Sequence, residues 1–116
     1  MSEIIIAVVD DMFFASKIRA VAEAVGAEIS FPRSKEALIQ RVRETKPRLV
    51  IVDLHNQKID PNEIAKELTG IRLLGFFSHV QTDLQRNAIA AGFDEVIPRS
   101  VFARDLPKIL AADDAD

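Results

Sequence analysis

Residues 4–11 read IIIAVVDD and residues 49–53 read LVIVD, and these two stretches decide the fold. Each is a short apolar run without alternation, the pattern of a parallel strand buried on both faces. Each also ends on carboxylates, Asp10 and Asp11 after the first run and Asp53 after the second. An ionised carboxylate beside a buried strand is unfavourable unless it is solvated, paired or bound to a cation. Three together repel one another by roughly 4 kcal/mol per pair at about 4 Å and an effective dielectric near 20. A divalent ion would resolve that repulsion, so the acidic edge of the sheet is the functional clue.

Working outward, strand and helix signals alternate. Ala15, Ile18, Ala22 and Val25 recur at helical spacing, and Gly26 supplies a left-handed stop. Phe13 falls off that stripe and is expected to pack near the acidic pair, the alternative being an exposed ring that binds a hydrophobic partner. Residues 27–31 (AEISF) alternate as an edge strand, and Ser34 caps a helix that runs to about Thr45 before Pro47. Asp60, Pro61 and Glu63 start a third helix that runs to about Leu68. Residues 71–77 (IRLLGFF) make a fourth strand ending at Ser78. Thr82 and Gln85 form a capping box for a helix stopped by Gly92, with Leu84, Ala88 and Ala91 inward. Residues 95–97 make a short fifth strand, and Phe102, Leu106 and Ile109 a last helix that tolerates Pro107 only near its start.

Five strands alternating with five helices predict an α/β fold, a doubly wound parallel sheet with right-handed crossovers and helices on both faces. The order 2-1-3-4-5 suits this chain, because it centres the two most apolar strands and leaves the polar second and short fifth as edges. Ligands in such sheets bind at the carboxyl ends of the strands. Asp10, Asp11 and Asp53 lie there, and Ser78 and Arg99 would line the same edge.

The 116 residues make one domain, predicted over residues 1–112, with an acidic tail at residues 113–116 (DDAD) read as a solvated end. No cysteine is present, and no basic, apolar leader opens the chain, which together predict a reducing cytoplasm. No apolar run approaches the ~20 residues that span a bilayer. The net charge of −3, with scattered lysine and arginine, offers no basic stripe and argues against direct nucleic-acid binding.

Carboxylate, carbonyl and water oxygens suit magnesium, and zinc-type clusters of histidine or cysteine are absent from the sequence. One carboxylate could then act as nucleophile towards phosphorus. Asp53 is the candidate, since the adjacent Asp10 and Asp11 suit a metal-holding pair. Ser78 would donate to one phosphoryl oxygen and Arg99 would neutralise another. The competing reading is that these residues merely punctuate strand ends.

VVDD at residues 8–11, VD at Val52 and Asp53, the hydroxyl of Ser78, AGFDEVI at residues 91–97 and the basic Arg99 together resemble the receiver domains of two-component response regulators, over nearly the full length. The resemblance implies a flavodoxin-like three-layer sandwich. It implies magnesium held by Asp10, Asp11, Asp53 and the backbone carbonyl of His55, with Asp53 phosphorylated by a sensor histidine kinase or phosphotransfer protein. It further implies a stand-alone phosphoacceptor that at most assists its own phosphorylation, and that signals to an unidentified downstream protein.

The chain departs from that pattern at several positions. Arg99, preceded by Pro98 and followed by Ser100, replaces the family's lysine with its following proline, and arginine is a planar fork rather than a point charge. His79 stands where a small residue is common, and Val96 where a switching aromatic ring is common. Asn56, Gln57, Lys58 and Ile59 replace the usual loop, with Lys58 either a stand-in cation or simply solvated. His55 either influences attacking water or has no special duty.

The second hypothesis is therefore a phosphorylation-independent pseudo-receiver that acts as a protein-interaction module. An aspartate-nucleophile phosphohydrolase lacks its Asp-x-Asp pattern here. A cobalamin motif at Asp53-Leu54-His55 has Lys58 in its glycine position.

Overall fold

The computed structural model describes residues 4–78 and 82–111, Thr82 by its backbone alone. The chain runs β1 (Ile4–Val8), α1 (Met12–Val25), β2 (Glu28–Ser30), α2 (Lys35–Thr45), β3 (Leu49–Asp53), α3 (Pro61–Glu67), β4 (Leu73–Phe77), α4 (Thr82–Ala91), β5 (Glu95–Pro98), α5 (Arg99–Arg104) and α6 (Leu106–Leu110). The strands form one five-stranded sheet in the order β2-β1-β3-β4-β5, and every pairing is parallel. The predicted class, topology and three layers are those observed.

Alternation along the strands builds two cores. Ile6 and Val8 of β1, with Val50 and Val52 of β3, meet Leu38 of α2, Ile64 of α3 and Ala88 of α4 on one face. Ile5, Ala7, Leu49 and Ile51 turn to the other, against α1, α5 and α6. Both central strands are thus apolar at every position before the terminal Asp53, because both of their faces are covered.

The caps follow local chemistry. Ser34 Oγ accepts from the Ala37 amide, and an Asp60 carboxylate oxygen accepts from Asn62. Gly26 adopts φ 77° and closes α1, while its amide donates to Ala22 and Glu23 carbonyls.

Four expectations need correction. The buried stripe of α1 is Phe14, Ile18 and Ala22, whereas Val25 is exposed and Phe13 is 91% exposed. Residues 14, 18 and 22 form one i, i+4 row, and a ring at position 14 fills more of the space under the helix than Ala15 does. β2 extends only over Glu28–Ser30, because only those residues find ladder partners in β1. β4 begins at Leu73, since the Ile71 amide turns back to the Leu68 carbonyl at 3.4 Å.

The single C-terminal helix is two, broken at Asp105. Pro107 has no amide to donate, and its ring would collide with the carbonyl four residues earlier, so it fits only the first turn of a new helix.

The side chains of His79 and Thr82, the latter's capping role included, and the acidic tail lie outside the described residues. Among the described residues, no helix is long and apolar enough to cross a membrane.

Candidate functional site

Parallel pairing of β1, β3 and β4 brings Val8, Val52 and Gly75 into register, so the segments that follow share one edge of the sheet. Asp53 ends β3 and is half-buried. Its Oδ1 accepts the His55 amide at 2.9 Å, which fixes the carboxylate against the turn. Burial raises the Asp53 carboxyl above its ordinary pKa. The His55 amide and the charges of His55 and Arg99 oppose that shift, and Asp11 adds to it. The influence of Asp11 and Arg99 on Asp53 marks convergence from three distant stretches of chain.

Asp11 serves both the start of α1 and Arg99. Its Oδ1 is the N-cap of α1, accepting from Phe13 at 2.9 Å and Phe14 at 3.1 Å, and its Oδ2 faces Arg99 Nη2 at 3.5 Å. The Phe14 amide, with help from Phe13 and Arg99, holds its carboxyl below the ordinary value against the raising effect of desolvation. Arg99 is itself positioned by stacking, with its guanidinium carbon 4.0 Å from the centroid of Phe14. Phe14 is in turn fixed edge-on to Phe76 at 5.4 Å and Phe102 at 5.8 Å, and those two rings stack at 4.7 Å. A lysine could not present the same planar face to that ring.

The residue that sequence reasoning missed is therefore Phe14. Its signal was present as an apolar residue four positions before Ile18.

Asp10 does not join this group. Its Oδ1 lies 3.3 Å from Lys58 Nζ, across a different concavity. Ser78 is exposed and lines an open depression with Arg99, Phe13, Phe14 and Lys17, and Asp53 is not part of that lining. Val96 is buried in the core, as an aliphatic side chain in a covered strand.

The acidic edge thus carries its own cations, Arg99 against Asp11 and Lys58 against Asp10. Among the described residues no three His, Cys, Asp or Glu side chains are grouped so as to hold a metal ion. As they stand, Asp10, Asp11 and Asp53 do not fit the magnesium set that the resemblance implies, because one is turned to Lys58 and another is engaged by two amides and an arginine.

No protein-family model matches the sequence. No curated protein matches it either. Solved structures do. The signal receiver domain of a response regulator from Bermanella marisrubri aligns with a TM-score of 0.81 at 17% identity, over 95% of this chain and 96% of its own. The chain has the receiver fold.

A response regulator from Hahella chejuensis aligns with the same TM-score at 19% identity, over 94% of this chain and 92% of its own. A putative response regulator from Chloroflexus aurantiacus gives 0.79 at 19% identity, over 97% and 100%. On this receiver fold the candidate acceptor, Asp53, sits at the carboxyl end of the central strand.

Proposed function

We propose that the chain is a signal receiver in which Asp53 accepts a phosphoryl group from a sensor histidine kinase or phosphotransfer protein, and that the modified edge then changes affinity for a downstream protein. The observation that carries this reading is the setting of Asp53. It is a half-buried carboxylate with one oxygen fixed by the His55 amide, close enough to Arg99 and Asp11 for each to influence its ionisation.

The second oxygen, Oδ2, attacks phosphorus, a P–O bond forms, and the P–N bond to the donor imidazole breaks. The released imidazole nitrogen takes a proton from solvent. Arg99 offsets the charge of the acyl phosphate. Ser78, on the rim beside Arg99, supplies a hydroxyl donor to a phosphoryl oxygen.

A second reading, the phosphorylation-independent interaction module, is favoured by the pairing of Asp10 with Lys58 and Asp11 with Arg99. These contacts are exposed, so solvent screening leaves each of them weak. They nevertheless satisfy the carboxylates without a metal.

Intact-mass measurement after incubation with a small acyl phosphate separates the two, run once with magnesium and once with a chelator. A single phosphoryl adduct that disappears in Asp53→Asn supports the acceptor. Its absence under both conditions leaves the interaction module. A yield unchanged by the chelator shows that acceptance needs no divalent cation and leaves Arg99 as the counter-charge beside Asp53.

A further inference from the structure

We propose that the cavity of about 180 Å³ beside Asp10 binds a small organic anion, a carboxylate head on an apolar body no larger than one aromatic ring. The cavity is bounded by α1, the segment that follows β2, and the loop that follows β3. It therefore lies over the carboxyl ends of the strands, where open parallel sheets take their ligands. It is separate from the Arg99 depression, and its role does not depend on phosphoryl acceptance at Asp53.

Charge selects the head group. The lining holds Arg19, Arg33 and Lys58 against one carboxylate, Asp10, in a chain whose net charge is −3. Lys58 already answers Asp10 at 3.3 Å. Among the described residues Arg19 and Arg33 have no acidic partner, so two guanidinium groups of the lining are uncompensated. Arg19 is held in place by stacking over Phe31, 4.7 Å from the ring centroid, which leaves the edge of its fork to donate in plane. Paired N–H donors of this kind match a carboxylate.

The remaining lining selects the body. Val9, Ala15, Phe31 and Ile59 belong to the apolar part of that lining, beside the polar Ser16 and Asn56. A cavity of about 150 Å³ accommodates benzene, so this volume limits the body to a single ring or a branched chain of similar size. Inorganic phosphate would leave the apolar lining uncovered, and a neutral ring would leave both arginines unanswered.

The test is an amide-resolved NMR titration of the full chain with benzoate, alongside benzamide and inorganic phosphate. Saturable shifts of the Ala15, Ser16, Phe31 and Asn56 amides are expected with benzoate, and about tenfold weaker binding of benzamide and of phosphate. Arg33→Ala and Arg19→Ala should each weaken benzoate about tenfold, while the amides of β5 and α4, remote from the cavity, keep their wild-type positions as the measure of an intact fold. No saturable shift with benzoate overturns the site. Equal affinity for benzamide reduces it to an apolar hole, equal affinity for phosphate reduces it to unspecific anion attraction, and unchanged affinity in both arginine variants removes its recognition; each of these outcomes refutes the proposal.

Discussion

Phe13 and Phe14 are neighbours in sequence with opposite fates. Phe14 is 6% exposed between Phe76, Phe102 and Arg99, whereas Phe13 points to solvent. Phe14→Ala should lose about 3–5 kcal/mol of stability in chemical denaturation, and Phe13→Ala should stay within about 0.5 kcal/mol. Equal losses would mean that the helix is rotated from the arrangement described.

Asp53 gives a prediction with a definite sign. Its carboxyl is raised by burial, so its ionisation opposes folding. The stability of the protonated form is fully present below the unfolded pKa, near 4, and is lost as pH rises through the folded value. Asp53→Asn should therefore melt above wild type at pH 7, by less than about 1 kcal/mol because solvent reaches the site, and the difference should close as pH falls towards about 4. Melting curves across that range decide it.

At the scale of the element, β4 is joined to the turn after β3 by one missing side chain. A Cβ on Gly75 would stand 2.9 Å from Leu54 Cδ2, and Leu54 is buried immediately beyond Asp53. Gly75→Ala should cost about 1–3 kcal/mol, with its largest amide shifts at Leu54 and His55, since Leu54 must give way inside a packed core. Most elements were legible because their signals are local: Ser34 before α2, Asp60-Pro61 before α3 and Gly26 after α1 act within one turn. The start of β4 and the length of β2 were not legible, because a strand ends where its neighbour's ladder ends. The break at Asp105 lay between. Pro107 announced a conflict, and packing of Phe102 and Leu106 on one core settled that two short helices resolve it.

The whole molecule is two cores that share a sheet. Ile18 belongs to one and Ile64 to the other, both fully buried on opposite faces. Ile18→Ala and Ile64→Ala should each cost about 2–5 kcal/mol, and the double variant should equal their sum to within about 0.5 kcal/mol if the faces are energetically independent. Denaturant midpoints at constant slope test this.

The amino-acid order alone determined the class, the 2-1-3-4-5 topology and the placing of Asp10, Asp11, Asp53, Ser78 and Arg99 at one edge. It could do so because apolar runs, caps and crossover handedness are properties of adjacent residues and of chirality. Which carboxylate meets which cation was decided only in three dimensions. Lys58 and Arg99 reach Asp10 and Asp11 from 48 and 88 residues away. Long flexible side chains carry no periodic signal of where their charged ends will lie, and that is settled by the rings and strand ends around them.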